Sequence, residues 1–288
     1  MILQGTKPDI GEMVLHHAAD SWTWEPFYGV TVHFPRWPDI HLGPLTLNLS
    51  ITKHVFFLLV VAAFTFFVMW WTGRALAKQR AGQRSPKGLA GAMEGMVLWV
   101  RDDIAIANIG PETGARFVPL ILSLFFFILF GNLFGMLPFG ATITGNLAVT
   151  GALAILVFLT IEVAGFLKLG PKGYMGSIFM HVPGMHGPGA VVLAVAMAPI
   201  EIMSKLVKPF ALAVRLFGNM TAGHFVILSL FGIIFLFGNL GVWSYGIGIV
   251  TASLVLGVMM LELIVAVLQA YVFALLSAVF IGLMQHEH

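Results

Sequence analysis

Long uncharged runs alternate along this chain with short charged or glycine- and proline-rich breaks. Val55 to Trp71 is 17 residues without a charge, Phe117 to Leu137 is 21, and Leu147 to Leu167 is another 21 with one acid, Glu162. About 20 mostly apolar residues are what an α-helix needs to cross the hydrocarbon core of a bilayer. A fourth run opens at Ala190 and soon meets Glu201, Lys205, Lys208 and Arg215. From Leu216 to Leu261, 46 residues pass without Asp, Glu, Lys or Arg. That is too long for one crossing, and Gly238-Asn239-Leu240-Gly241 marks the break. Leu263 to Met284 completes the last helix. The pattern predicts an all-α polytopic membrane protein with five transmembrane helices, the last two forming a long antiparallel hairpin.

Composition agrees. Of 288 residues, 59% are hydrophobic and 10% charged, with a mean hydropathy of +0.95. Soluble domains carry about 25% charged residues, so this chain has too few to cover a water-facing surface. A cytosolic enzyme, a disordered protein and a nucleic-acid-binding domain are thereby excluded. No cysteine is present, which removes disulfides, thiolate metal sites, iron–sulfur clusters and cysteine nucleophiles. Residues 1–50 are polar, aromatic and rich in proline after residue 25, and read as an arm outside the bilayer, with one short helix over Gly11 to Ala19. Residues 51–288 are the membrane domain. Met1 is not followed by a basic stretch and an early apolar core, so no cleaved leader is expected.

Basic residues set the orientation. Arg74, Lys78, Arg80, Arg84 and Lys87 follow the first run, Arg101 and Arg116 precede the second, and Lys168 and Lys172 follow the third. Loops 138–146 and 229–245 have neither Lys nor Arg. The amino terminus is then outside and the carboxyl terminus in the cytoplasm, with Lys7, Arg36 and Lys53 as contrary charges in the arm. Pro86 to Asn108 is too charged to span. Its Met93, Val97, Val100 and Ile104 at helical spacing predict an amphipathic helix on the cytoplasmic face.

The informative segment is Pro199 to His224. Each charge in a membrane segment costs about 2.5–3.5 kcal/mol on insertion scales. Glu201, Lys208 and Arg215 stand seven apart and so nearly on one face, with Lys205 and Asn219 on the same stripe. Lys205 and Lys208 read as side chains reaching back to the cytoplasmic surface. Arg215 lies about 10 Å further along the axis, among Leu, Phe and Ala, and reads as a functional intramembrane arginine.

On the last helix Glu262 and Gln269 are again seven apart. Antiparallel pairing with the preceding helix sets Glu262 near the depth of His224 and Gln269 near that of Arg215. A carboxylate and an imidazole at one depth can exchange protons near neutral pH. Arg215 and His224 are nine residues apart, about 180° around a helix, so they face different neighbours. The natural arrangement aims Arg215 at a partner protein and His224 at the Glu262 helix. Glu162, beside Lys168, reads as an interfacial acid, and Asn132 as a hydrogen-bonding group between helices. Outside His224, the histidines read as solvated.

The run Lys208-Pro209 through Arg215-Leu216-Phe217-Gly218-Asn219-Met220, then Ala222-Gly223, resembles the signature of subunit a of the F-type ATP synthase. So do Asn132-Leu133, Leu137-Pro138, Glu262, Leu268-Gln269-Ala270-Tyr271-Val272-Phe273 and the Glu287-His288 ending. The likeness runs from about residue 50 to the end. It implies a stationary, non-catalytic, proton-translocating subunit in a bacterial inner membrane, without cofactor or metal. It implies lipid, the ring of c subunits, the peripheral-stalk subunit b and the rest of the ATP synthase as partners. Arg215 matches the arginine that faces the carboxylate of each passing c subunit. Asn219 and Gln269 match polar neighbours of it, and Glu201 an acid of the inner half-channel. His224 and Glu262 match a coupled pair in the outer half-channel, with acid and imidazole exchanged relative to one familiar bacterial arrangement.

Other classes fit less well. Haem ligation needs paired histidines in facing helices, and only His224 is deep. No H-E-x-x-H or G-x-S-x-G occurs for a hydrolase. A secondary ion-coupled transporter is the remaining alternative, and the internal repeat common in that class is not found between the two halves.

Overall fold

The computed structural model describes residues 20–27, 30–38, 40–42, 45–48, 50–82, 88–137, 140–179, 188–237 and 241–286. A helix over Gly11 to Ala19 lies outside them. Six helices carry the described chain: α1 (Lys53–Gly82), α2 (Leu89–Trp99, continued through Val100–Ile106 and Ala107–Ile109), α3 (Pro111–Gly135), α4 (Leu147–Ile178), α5 (Pro188–Leu236) and α6 (Val242–His286). Four of them, α1, α3, α4 and α6, are long and apolar enough to cross a membrane. The polytopic all-α membrane class follows. The count of five spans rests on α5, whose 49 residues also carry the charged stripe. The chain divides into two compact units.

The first unit is formed by residues 1–66, 127–146 and 217–269. Its arm holds two short hairpins, β1 (Thr23–Phe27) with β2 (Val30–His33) and β3 (Ile40–Leu42) with β4 (Leu45–Leu47). Trp24 packs edge-on against Phe57 at 5.4 Å, and Phe34 lies 5.3 Å from Phe56. The arm thus closes the amino-terminal end of α1. The Lys53 amide donates to the Ser21 carbonyl at 2.9 Å, satisfying one of the first-turn donors that a helix leaves unpaired. Below, Phe57, Val61, Ala141 and Ile143 form a buried core flanked by Phe127, Phe130 and Phe134.

Within this unit Asn132 is fully buried and satisfied on both sides. Its Nδ2 donates to the Ala266 carbonyl at 3.1 Å, and its Oδ1 accepts from the Thr144 hydroxyl at 2.7 Å. One amide therefore ties α3, the 140–146 loop and α6 together, the hydrogen-bonding role expected from sequence.

The second unit is formed by residues 67–126, 147–216 and 270–288. The amphipathic segment is helical, and its apolar side is buried in protein: Met93 is 8% exposed, and Val100, Ile104 and Ile109 are at 0%. Val100–Ile106 is wound as a π-helix, with the Ala107 amide bonded to the Asp102 carbonyl. Gly110, at φ +103°, ends this segment, and Pro111 opens α3 where its missing N–H costs nothing. The helix thus begins six residues before Phe117, where the charge-free run starts. Similarly α4 runs past Leu167, kinks at Gly170 (φ +67°) and resumes at Pro171. Trp99 stacks on Tyr271 at 5.4 Å.

The break between the last two helices falls where the glycines predict. Helix α5 ends at Leu236, and Gly241 (φ +62°) precedes α6. Glu262 and Leu263 sit inside one continuous helix.

Candidate functional site

In the first unit, α5 and α6 run antiparallel in a register set by polar contacts. The Asn219 Nδ2 donates to the Gln269 Oε1 at 3.1 Å, and Gln269 is 1% exposed. Seven residues back along α6, Glu262 is 4% exposed. Its carboxyl rests on the backbone of α5 at Gly223, where a Cβ would lie 2.9 Å from the Glu262 Oε1. A side chain there would push the Glu262 carboxyl aside. Thus Glu262 meets α5 beside His224, and Gln269 meets it at Asn219.

His224 is half-buried and lines a small cavity together with Lys53, His54, Thr142 and Thr221. The volume is about 30 Å³, enough to hold a water molecule. Lys53 and His54 are 8% and 5% exposed, so both polar side chains at the start of α1 are buried. Asp20 of the arm grips His54: its Oδ1 lies 2.8 Å from Nδ1 and 3.3 Å from the backbone nitrogen. Burial raises the Asp20 pKa, but the hydrogen bonds and charge of His54 outweigh it and hold the carboxyl below its ordinary value. The clamp is therefore complete at neutral pH and is lost as pH falls through the lowered Asp20 pKa.

In the second unit, Arg215 is exposed on α5 and makes no ion pair among the described residues. Val207, Phe210, Ala211 and Val214 are exposed around it. A second cavity of about 50 Å³ is lined by Glu162, Glu201, Lys205 and Lys208, with Phe280 and Met284. Glu162 accepts a hydrogen bond from the Tyr174 hydroxyl, on the turn that follows the Gly170 kink. Lys205 donates to the Ser177 hydroxyl at 3.1 Å and lies over the Tyr174 ring, while Lys208 lies 5.5 Å from the Phe280 ring. Each lysine thus has a specific protein partner.

The structure therefore groups Asn219, Gln269, Glu262 and His224 in one unit, and Glu201 and Arg215 in the other. Sequence reasoning missed Asp20, Lys53, His54 and Thr221, and assigned Glu162 to the membrane surface rather than to a cavity shared with Glu201. The available signal was Lys53-His54 itself: a cation beside an imidazole at the edge of an apolar run.

Comparison with known proteins is consistent across the chain. Residues 55–282 match the family described as ATP synthase A chain. The chain is 41% identical over 276 residues to ATP synthase subunit a of Chloroherpeton thalassium, covering 95% of this chain and 77% of that one. It is 44% identical over 264 residues to ATP synthase subunit a of Myxococcus xanthus, covering 90% and 81% respectively. ATP synthase subunit a 2 of Chlorobaculum tepidum is 41% identical over 276 residues, covering 95% and 72%.

Proposed function

The chain belongs to the ATP synthase A chain family, and from that premise we propose that it is the stationary, non-catalytic subunit that routes protons to and from a rotating ring of c subunits. It is an integral membrane subunit of the F-type ATP synthase that couples proton translocation to ATP synthesis. The observation that carries the detailed reading is Arg215, exposed and without an ion pair among the described residues, on a helix face that is otherwise mostly apolar. A face of that kind fits apolar helices that each bring one carboxylate, because a cation in hydrocarbon needs an anionic partner.

In this reading α5 is the fifth span. Its Phe217–Leu236 part has 20 residues without Asp, Glu, Lys or Arg. Residues 1–50 are an arm outside the bacterial inner membrane, residues 51–288 are the membrane domain, and the carboxyl terminus is cytoplasmic. Subunit b and the remaining ATP synthase subunits hold the chain still.

Protons from outside pass His224 and Glu262 to the level of Asn219 and Gln269 and neutralise a ring carboxylate. The neutral acid can then enter lipid, which the carboxylate cannot. After rotation the carboxyl reaches Arg215, whose charge favours the ionised form and releases the proton toward Glu201 and the cytoplasm. Each charge driven across the membrane supplies about 2.3 kcal/mol per 100 mV for rotation.

Two experiments test this reading. Single cysteines at positions 172 and 239 report sidedness without background, since the chain has none of its own. Position 172 is expected to label from the cytoplasm and position 239 from outside; cytoplasmic labelling of position 239 alone overturns the orientation. The second exchanges the relay pair. His224→Glu and Glu262→His each lower ATP-driven acidification of vesicles, and the two together recover more flux than the worse single variant. Coupling of this kind is expected for groups sharing one network. Strictly additive losses would show that the two act independently.

A further inference from the structure

The cavity beside His224 is lined by more chemistry than the relay pair uses. Four groups converge there from separate segments: Lys53 and His54 from the start of α1, Thr221 and His224 from α5. The loop contributes the Thr142 hydroxyl and no charge. The Thr221 Oγ1 is buried and has no hydrogen-bond partner among the described residues. A buried hydroxyl left unpaired costs about 1–3 kcal/mol. The cavity has the room and the polar lining that a water bonded to it requires. His54 is 5% exposed, and its Nδ1 lies 2.8 Å from the Asp20 carboxylate. With Nδ1–H donating to Asp20, Nε2 is the nitrogen free to take up and release a proton. Both ends of this pair are protein-fixed: Asp20 is held by the His54 amide, and the adjacent Lys53 amide is held by Ser21.

We propose that His54, oriented by Asp20, is a proton relay at the outer mouth of the pathway, passing protons through water held by Thr221 to His224. The inference rests on the subunit a reading and extends its outer path by one station. In each passage a proton binds the His54 Nε2 from the outside and leaves it to the cavity water. That water releases a proton to His224, so His54 and the water return to their starting states. Asp20 is a positioning residue. Lys53 is the other charge facing the cavity from the same element and excludes other cations.

The test is ATP-driven acidification of inverted membrane vesicles, normalised to assembled complex, with a pH profile. His54→Gln cannot shuttle a proton, and its flux is expected to fall about 100-fold at unchanged assembly, the low end of the range for removing one positioned acid–base group. In His54→Ala, added imidazole is expected to restore at least half of the lost flux. Asp20→Asn is expected to shift the pH profile of flux while retaining part of it. Flux in His54→Gln within a factor of two of wild type overturns the relay and leaves the pair as a clamp on the arm. Loss in His54→Ala that imidazole does not repair overturns it as well. If His54→Ala fails to assemble, His54→Gln alone decides. Arg215→Ala run in parallel separates the two levels: normal pumping in that variant defeats the subunit a reading itself, whereas its loss together with unaffected His54→Gln defeats only the relay.

Discussion

Arg215→Ala membranes are expected to contain assembled ATP synthase that neither pumps protons with ATP nor makes ATP from a proton gradient. The drop should be about 100-fold or more, the scale seen when one preorganised charge is removed from a low-dielectric site. The cause lies in the arginine's surroundings. It stands among exposed Val207, Phe210, Ala211 and Val214, and no acid of the described residues neutralises it. Its charge is therefore available to an incoming carboxylate. In the proposed role, its loss leaves nothing to drive that carboxyl to ionise and nothing to stop protons from passing between the two paths without rotation. The variant should accordingly leak protons passively when the catalytic head is stripped away. Arg215→Lys should recover only part of the flux, since an ammonium lacks the planar fork of donors and loses its proton more readily in apolar surroundings. Normal coupled synthesis in Arg215→Ala, at wild-type levels of assembled enzyme, would contradict the role given to this residue.

Gly282→Val is expected to remove the complex from the membrane rather than slow it. A Cβ at Gly282 would lie 2.0 Å from the carbonyl oxygen of Asn108 and 3.0 Å from its carbonyl carbon. Both atoms are backbone, at the end of the segment that contains the π-helical turn, so no side-chain rotation relieves the clash. Asn108 is further pinned by its own bond to the Ile104 carbonyl at 2.8 Å. Overpacking typically costs about 1–3 kcal/mol, and more where backbone must move. Destabilisation of that size changes abundance several-fold in cells. Gly257 on the same helix is the control: nothing lies within 4 Å of its Cβ position, and Gly257→Ala should leave complex abundance unchanged. Quantifying membrane-bound subunit for both variants checks the pair. Equal abundance would mean that the α2 and α6 backbones do not meet as described.

The helices were legible because hydrocarbon imposes one rule on every crossing, a long run without charges. The break at Gly238–Gly241 was legible for the same reason, as the place where a 46-residue run must turn. Arg215 stood out because a charge within a membrane segment is costly, and it lies exposed on α5 without an ion pair among the described residues. What sequence did not reveal depends on contacts between distant residues. Asp20 and His54 are 34 positions apart, and each by itself reads as a solvated polar group. Glu162 was assigned to the surface through its neighbour Lys168, yet its partner is Tyr174, brought back by a kink at Gly170 that an uninterrupted apolar run does not announce. The amphipathic segment was read as a helix on the cytoplasmic face. Periodicity identifies an apolar face without saying what covers it, and here protein does. The two hairpins of the arm were equally hidden: β1 contains Pro26, and β2, β3 and β4, VTVH, IHL and LTL, alternate over only three or four residues, too short to stand out as strands.

The face that carries Arg215 has one more consequence for a machine that turns. In the second unit Val207, Ala211, Val214 and Arg215 are exposed at helical spacing and so follow one side of α5. Methyl groups offer a passing helix only dispersion, about 0.1–0.2 kcal/mol for each atom pair, and nearly the same at every angle. Such a surface is a bearing: it supports contact without favouring any one alignment. The guanidinium is its single detent. With the proposed ring of c subunits against it, dwell positions should therefore be spaced by the ring carboxylates alone, with no additional stops set by side-chain packing against this face.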